Sequence, residues 1–340
     1  MKSELTAALK NVLISLEYPD TPVVIQLPKN PEHGDFSSNI AMQLAQKLGN
    51  NPRDIAQSIS EKLAKDFPHL VASAKIAGPG FINIQIQKEQ IISQLKTILK
   101  KDTLFGRSEL CSGKKALVEF VSANPTGPLT VGHGRGAILG DVVSNILEWN
   151  GYKVEREYYY NNAGQQMQRL GQSVQARYLE LLGKPAEFPK EGYEGEYIID
   201  IARELMEERG DSLQNSEGLE TFIEVAEKNI FQDIKNTLEK TGLTFDHYFN
   251  EQSLYESGAI ESVLDMLNDK NLIYKKEGAT WFKATSSGRP QDRVIIKSTG
   301  EPTYRLPDMA YHLNKFERKY DFMVDVLGAD HMDAYPDVLA

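Results

Sequence analysis

The stretch from residue 116 to residue 160 constrains the fold most, because it predicts a strand, a loop, a helix and a second strand in succession. Ala116–Val121 (ALVEFV) is a short apolar run typical of a buried strand, and Val154–Tyr160 (VEREYYY) is the second strand. Between them, Gly134–Trp149 has a helical period. Its apolar positions lie four residues apart, at Ile138, Val142 and Ile146. Two strands joined by a helical crossover lie parallel in one sheet, so the sequence predicts an α/β fold.

The first hundred residues predict a separate, smaller α+β unit. Residues 37–49 have a helical period that Ser37 or Ser38 can cap, and a second helix begins at Pro52. Further along, isoleucines alternate with polar residues, at Ile82, Ile84 and Ile86. That alternation is typical of a half-buried strand.

The boundary between the two units is predicted from a segment rich in glycine, serine and lysine at 105–115, which has the composition of a linker. We therefore expect one domain over 1–110 and a parallel-sheet domain over 111–340. Within the second domain, the pattern at about 165–290 indicates a mainly helical insertion.

Composition and charge narrow the class of protein. No apolar run approaches the length of a membrane span, and the N-terminus lacks the apolar core of a signal peptide, so we expect a cytoplasmic protein. The single cysteine, Cys111, excludes a disulfide within the chain and a cysteine-clustered zinc site. The net charge is −10, yet residues 1–100 carry eleven Lys/Arg against nine Asp/Glu. If RNA is bound, this first region is the better candidate surface.

The loop between the two strands, SANPTGPLTVGHGRGA (Ser122–Ala137), has the features of a phosphate site. It lies where a parallel strand ends and a helix begins, and helix N-termini attract phosphate. Gly132, Gly134 and Gly136 would let a ligand approach the backbone, and His133 could stabilise growing negative charge. The spacing matches neither the dinucleotide fingerprint nor the Walker loop. The alternative is a tight turn that binds nothing.

The segment EFVSANPTGPLTVGHGRG (Glu119–Gly136) is similar to the signature of arginyl-tRNA synthetases, which are class I enzymes with a Rossmann-type catalytic domain. EREYYYNNAGQQM, TYRLPDMAYHLNKF and DVLGADH also resemble that family, and HGDFSSNIAMQLA with GPGFINI resembles its N-terminal, tRNA-contacting domain. Thr130 stands where the class I motif usually has histidine. The family's Lys-rich loop and anticodon-binding domain should follow DVLGADH, so we expect a C-terminally truncated chain that lacks both.

The resemblance implies ATP-dependent activation of L-arginine to arginyl-adenylate and transfer of arginine to tRNA(Arg). ATP is then a substrate, Mg²⁺ arrives with it rather than at a protein-built metal site, and we expect a monomer. Thr130 and His133 are implied to be catalytic. The residues implied to bind ATP are Pro125, Thr126, Gly127, Gly132, His133, Gly134, Gly136, Gly328, Asp330 and His331.

Arginine binding is implied for a second group of residues. Glu119 and Asp308 would receive the guanidinium beside Tyr304, while Ser122 and Asn124 would bind the α-amino and carboxylate ends. A guanidinium never deprotonates, so its site needs carboxylates. The alternatives are that Asp308 only caps a helix and that Ser122 and Asn124 only stabilise the loop.

Other readings stay open at this point. Phe36 and Asn39 could contact tRNA, or they could serve packing and surface solvation. A nucleotidylyltransferase of the same superfamily would share Thr-x-Gly-His, although it needs neither Tyr304 nor Asp308. A non-catalytic fragment that binds arginine or tRNA would share every motif and lack turnover.

Overall fold

A computed structural model describes residues 1–216, 218–328, 332 and 334–340. The chain forms two compact units, Met1–Gly106 and Arg107–Ala340. The division falls inside the segment whose composition predicts a linker. Within the described residues, no helix is both long and apolar enough to cross a membrane.

The first unit is a four-stranded antiparallel sheet with helices packed against it. The strand order is β1–β2–β4–β3. The strands are β1 (Ile25–Gln26), β2 (Phe36–Ser38), β3 (Val71–Ala77) and β4 (Phe81–Ile86). The helices are α1 (Lys2–Ser15), α2 (Ile40–Leu48), α3 (Pro52–Asp66) and α4 (Lys88–Lys101), with short 3₁₀ turns at Pro31–His33 and Asp102–Leu104.

The core of the first unit forms where the periodic apolar residues meet. Ile82, Ile84 and Ile86 are buried, as the alternation in β4 predicts. The predicted helix start is corrected, because Ser37 and Ser38 belong to β2 and Asn39 is the N-cap of α2. The Ser38 hydroxyl still accepts a hydrogen bond from the Ile40 N–H at 3.4 Å.

The second unit is built on a four-stranded parallel sheet with the order β11–β5–β6–β7. Its strands are β5 (Lys115–Glu119), β6 (Lys153–Tyr160), β7 (His247–Asn250) and β11 (Phe322–Asp325). Helix α5 (Val131–Trp149) connects β5 to β6, as the strand–helix–strand pattern predicts. All four strands therefore end at one edge of the sheet, where α/β proteins bind ligands.

The segment predicted as a helical insertion contains both helices and strands. Between β6 and β7 lie α6 (Gln165–Leu181), α7 (Glu196–Arg209) and α8 (Glu220–Lys240). The chain then returns to the parallel sheet as β7 before α9 (Gln252–Glu256) and α10 (Ala259–Asp269). A three-stranded antiparallel sheet follows, with β8 (Ile273–Lys276), β9 (Ala279–Phe282) and β10 (Arg293–Ile296), and a 3₁₀ turn at Ala284–Ser287.

Two more helices complete the described part of the second unit, α11 (Arg305–Glu317) and α12 (Tyr335–Leu339). Helix α11 leads through a short turn into β11, so the helix and the strand run in opposite directions. The N-terminus of α11 consequently lies near the carboxyl edge of the sheet. Residues three or four apart on this helix, from Asp308 to Lys315, can then reach down along β5 and β6.

Helix α5 differs from its sequence prediction in two respects. It begins at Val131 rather than Gly134, so Gly132 and Gly134 lie inside its first turn. The predicted apolar face is also exposed, with 66% of the Ile138 surface accessible. The buried positions are the small residues Ala137, Gly140 and Ser144. A Cβ on Gly140 would come within 2.2 Å of the Phe120 ring. The helix can therefore pack this closely on the end of β5 only through its face of small residues.

Candidate active site

A sharp turn at the end of β5 directs the first polar side chains into the site. Val121 and Ser122 both have left-handed backbone conformations, with φ of +67° and +47°. Such conformations cost non-glycine residues about 1–3 kcal/mol and cluster at functional sites. The turn places the Ser122 hydroxyl 2.9 Å from Glu119 Oε1, to which it donates, and 3.2 Å from the Tyr159 N–H, from which it accepts.

The start of α5 is closed by a reciprocal cap between Thr130 and His133. The His133 N–H donates to Thr130 Oγ1 at 3.4 Å, and the Thr130 N–H donates to His133 Nδ1 at 3.1 Å. Because Nδ1 accepts a hydrogen bond, the proton of the neutral ring lies on Nε2. The threonine therefore fixes the tautomer that presents an N–H donor away from the cap.

A cavity of about 460 Å³, here called the loop cavity, lies over this helix start. Its lining residues are Val121, Gly132, His133, Arg135, Gly136, Leu139, Val326, Leu327 and Gly328. Four of these were predicted to bind ATP, namely Gly132, His133, Gly136 and Gly328. Arg135 was not predicted, although its position between two glycines of the loop is a signal that could have found it.

The remaining residues predicted to bind ATP lie elsewhere. Pro125, Thr126 and Gly127 are not among the described residues that line the loop cavity, and the Thr126 carbonyl accepts a hydrogen bond from the Tyr197 hydroxyl at 2.8 Å. Gly134 lines an apolar groove with Val131 and the exposed face of α5. Asp330 and His331 lie outside the described residues. For these six residues, as for the four that line the loop cavity, the role in ATP binding stays a prediction.

A second cavity, of about 350 Å³, adjoins the first and is here called the carboxylate cavity. It contains all five residues predicted to bind arginine, Glu119, Ser122, Asn124, Tyr304 and Asp308. Its other lining residues are Val121, Tyr159, Asn161, Glu251, Tyr311, His312, Asp325, Val326, Leu327, Gly328 and Tyr335. Val121 and Val326 to Gly328 line both cavities, so ligands in the two would meet there.

A buried lysine organises one side of the carboxylate cavity. Lys315 is only 1% exposed and pairs with both Glu119 and Asp325, the latter at 2.6 Å. Its ammonium also lies 4.2 Å from the centre of the Tyr311 ring. Asp325 accepts further hydrogen bonds from His312 and from the Tyr335 hydroxyl. The His312 contact, the Lys315 ammonium and the Tyr335 hydroxyl hold the pKa of Asp325 well below its usual range despite burial.

A chain of neutral polar groups forms another part of the cavity wall. The Asn124 side chain accepts from the Asn161 N–H at 2.9 Å and donates to Gln166 at 3.1 Å. Asn161 in turn donates to Glu251 Oε1 at 2.7 Å, and the Tyr159 hydroxyl donates to Glu251 Oε2 at 2.5 Å. Burial raises the pKa of Glu251. Sequence reasoning gave no role to Glu251, Asn161 or Lys315, although the quoted segments EREYYYNNAGQQM and TYRLPDMAYHLNKF contain Asn161 and Lys315.

Tyr304 and Asp308 reach the cavity from the first turn of α11. Tyr304 is the N-cap residue and is 58% exposed, and its carbonyl accepts a hydrogen bond from the Asp308 N–H at 3.3 Å. Asp308 therefore lies inside the helix, one turn past the cap. The alternative that it serves only as the cap is not the observed arrangement.

One group of side chains in the described residues has the spacing of a metal site. Ligand atoms of Glu155, Glu157 and His247 lie within 4.8 Å of one another. Arg318, however, contacts both oxygens of Glu157, at 2.6 and 2.7 Å. Its guanidinium provides positive charge where a metal would lie, so we assign no metal to this group.

Two family models match the chain. The arginyl tRNA synthetase N terminal domain covers residues 1–86, and the catalytic domain of class I (R) tRNA synthetases covers residues 94–333. The chain belongs to the arginyl-tRNA synthetase family. This membership and the parallel sheet confirm the predicted fold class, a Rossmann-type catalytic domain preceded by a small α+β domain.

Relatives in the family agree with this assignment. Proteins named arginine–tRNA ligase from Desulfotalea psychrophila and Salinibacter ruber are 53% and 46% identical to this chain over 93% and 100% of its length. The chain spans 57% and 64% of the length of these two relatives. An arginyl-tRNA synthetase from Plasmodium falciparum has a TM-score of 0.68 over 99% of this chain and 61% of its own, at 17% identity. That likeness shows the fold.

Proposed function

We propose that this chain binds arginine and ATP for an arginine–tRNA ligase, which activates L-arginine to arginyl-adenylate and transfers it to tRNA(Arg). The observation that carries the proposal is the junction of the two cavities. The predicted arginine residues line one cavity, four predicted ATP residues line the other, and Val121 and Val326 to Gly328 line both. An amino acid carboxylate and an α-phosphate could therefore approach each other without crossing solvent.

The charge of the carboxylate cavity favours a cationic side chain. Four carboxylates line it, those of Glu119, Glu251, Asp308 and Asp325. Lys315 is shared between two of them, Glu119 and Asp325, and cannot neutralise both. A guanidinium supplies a planar set of donors that pairs with carboxylates at more than one point. We assign the guanidinium to Asp308 and Glu119, with Tyr304 covering it at the cavity mouth.

The loop cavity supplies groups that suit a triphosphate. The helix start carries partial positive charge, Gly132 and Gly136 leave its backbone accessible, and the His133 tautomer presents an Nε2–H donor. In the proposed reaction the arginine carboxylate attacks the α-phosphorus of ATP, and pyrophosphate leaves with the electron pair of the broken bond. His133 and Arg135 would stabilise the charge that grows on the phosphate oxygens.

Magnesium would enter as part of the Mg–ATP substrate. Among the described residues, those that line the loop cavity include no carboxylate, so the chain offers nucleotide contacts through N–H groups and cations. Mg²⁺ would screen the phosphate charge and help to orient the leaving group. The chain's own residues would position the α-phosphate relative to arginine.

We also propose that the first unit is the tRNA-contacting domain. Support comes from the match of residues 1–86 to the N-terminal domain of the family and from the slight excess of basic residues there. Phe36 packs partly against the core, and the Asn39 side-chain oxygen Oδ1 accepts from the Gln43 side-chain amide at 2.9 Å. A role of either side chain in RNA contact stays a prediction. A monomeric state and a cytoplasmic location, where ribosomes consume charged tRNA, belong to the same proposal.

Calorimetric titration with L-arginine and citrulline tests the function. Citrulline has nearly the same shape and no side-chain charge, so we expect the chain to prefer arginine by about tenfold or more. Asp308→Asn should remove most of that preference. Asp265→Asn, at an exposed position on α10, is the matched control and should keep it.

The two outcomes separate the candidate functions. Loss of the preference in Asp308→Asn alone supports the arginine pocket. A folded native chain that binds citrulline as well as arginine would contradict it and favour a nucleotidylyltransferase with another substrate. Arginine binding without adenylate formation in the presence of ATP and tRNA would favour the non-catalytic fragment.

A further inference from the structure

Glu251 is the one carboxylate of the carboxylate cavity that no sequence motif indicated. It directly follows β7, and its backbone N–H donates to the Tyr160 carbonyl at 3.0 Å, which fixes the residue at the carboxyl edge of the sheet. The side chain lines the same cavity as Asn124 and Asp308. A third strand thus contributes a charged group to a site otherwise built from β5, α11 and β11.

The partners of Glu251 are neutral. Its two oxygens accept from the Tyr159 hydroxyl and from the Asn161 amide. No lysine, arginine or histidine among the described residues pairs with it. This differs from Glu119 and Asp325, which share a lysine. Glu251 is half-buried, so a carboxylate without a cation is costly there, and a bound ammonium would offset that cost.

Its neighbours indicate which part of a ligand it meets. Asn161 connects Glu251 to Asn124, which the family resemblance implies binds the α-amino or carboxylate end of arginine. Arginine carries two cations, a guanidinium and an α-ammonium. If Asp308 and Glu119 receive the guanidinium, Ser122 and Asn124 offer the α-ammonium only neutral groups, and a carboxylate is a stronger acceptor.

We propose that Glu251 binds the α-ammonium group of the substrate and thereby selects α-amino acids over guanidino compounds without an α-amino group. The inference rests on the proposed function, since it takes the carboxylate cavity as the arginine site. Tyr159 and Asn161 act as positioning residues that hold the two carboxylate oxygens. Burial raises the pKa of the Glu251 carboxyl, and a bound ammonium would favour its ionised form.

The test compares L-arginine with 5-guanidinopentanoic acid, which is arginine without its α-amino group. Calorimetry on the full chain should show that Glu251→Gln weakens arginine binding by about tenfold to a hundredfold. Binding of 5-guanidinopentanoic acid should change by less than about twofold, because that ligand has nothing for the carboxylate to hold. Glu256→Gln, an exposed glutamate on α9, is the matched control and should alter neither ligand.

Agmatine serves as a second ligand if 5-guanidinopentanoic acid binds too weakly for calorimetry. Agmatine retains the amine and lacks the carboxylate, so Glu251→Gln should weaken agmatine by a factor similar to that for arginine. Far-ultraviolet circular dichroism of the variant checks that the fold is retained.

The outcomes also distinguish this inference from the proposed function. Equal weakening of arginine and 5-guanidinopentanoic acid would overturn it, because the carboxylate would then only order the cavity wall. Unchanged arginine binding would overturn it as well. In either case a retained preference for arginine over citrulline would leave the proposed function intact. A native chain without that preference would remove both.

Discussion

Two buried glutamates occupy directly neighbouring positions on adjacent strands and have different surroundings. Glu119 on β5 is the register partner of Glu157 on β6, and both are within 5% of complete burial. Glu157 receives a two-point contact from Arg318 and further hydrogen bonds from His247 and the Tyr311 hydroxyl. Glu119 shares one lysine with Asp325 and faces a cavity.

Glu157 contacts only groups of the chain, whereas Glu119 also lines the cavity that we propose binds arginine. Every oxygen of Glu157 is occupied by groups of the chain, and Arg318, His247 and Tyr311 hold its pKa below the usual range despite burial. In the part of the chain that the structure describes, Glu119 and Asp325 share one lysine and Glu251 accepts from neutral groups, so a ligand can contribute positive charge. Helix α11 contributes to both places: Asp308 in its first turns lines the carboxylate cavity, and Arg318 at its C-terminal end contacts Glu157.

The largest expected effect on the free energy of unfolding follows from removing Arg318, the cation that contacts Glu157. Arg318→Met leaves Glu157 buried without its main partner and should lower the free energy of unfolding by about 3–5 kcal/mol. Urea unfolding followed by tryptophan fluorescence measures it, since both tryptophans, Trp149 and Trp281, lie in the second unit.

The control for this prediction is an ion pair on the surface. Arg203 contacts Asp200 at 2.7 Å, but their side chains are 51% and 64% exposed. Arg203→Met should therefore change stability by less than about 1 kcal/mol. A similar loss for both variants would contradict the claim that burial of Glu157 makes the difference.

An intermediate effect on the free energy of unfolding is expected when Glu157 or Glu251 is replaced by glutamine and the pH is varied. Glu157 has a lowered pKa, so its stabilising ionised form is present above the ordinary carboxyl pKa and is lost as pH falls through the lowered value. Glu157→Gln should thus be most destabilising at neutral pH, by about 1–3 kcal/mol, and less so in acid.

Glu251 should show the opposite sign. Its pKa is raised, so its ionisation opposes folding as pH rises through the ordinary value to the raised one. Glu251→Gln should gain stability relative to the native chain between about pH 4 and neutral pH, measured by the same urea titrations without ligand. If the stabilities of Glu157→Gln and Glu251→Gln, each relative to the native chain, changed with pH in the same direction, the proposed difference between the two carboxylates would be wrong.

The sequence predicted the scaffold of the site better than its electrostatics. The strand–helix–strand pattern around α5 and the alternation in β4 follow from local periodicity. The family resemblance indicated Glu119, Asn124 and Asp308 as one group, and in the structure all three line the carboxylate cavity. Glu251 escaped prediction because a long helical crossover separates β7 from β6, and only pairing in the sheet brings it beside Asn161. Such a residue carries no local pattern.

The charges on α11 show a second limit of sequence reasoning. Lys315 and Arg318 lie three residues apart on a helix, a spacing that usually indicates a solvated face. In the fold Lys315 is buried between two carboxylates. Helix α5 shows the converse, because its apolar positions are exposed and its small residues are buried against β5. Periodicity predicted each helix, whereas packing decided which face became buried.

The smallest expected effect compares two tyrosines that donate to the two types of carboxylate. Tyr311→Phe removes one of four contacts to Glu157, so we expect a loss of about 0.5–1.5 kcal/mol in the free energy of unfolding. The preference for arginine over 5-guanidinopentanoic acid should not change. Tyr159→Phe removes one of two contacts to Glu251 and should instead reduce the preference for arginine over 5-guanidinopentanoic acid. Both rings pack in the same aromatic cluster, with centroids 4.5 Å apart, although Tyr311 is buried and Tyr159 is half-buried. If Tyr311→Phe altered that preference as much as Tyr159→Phe, the hydrogen bond from Tyr159 to Glu251 would have no separate role in recognising the α-amino group.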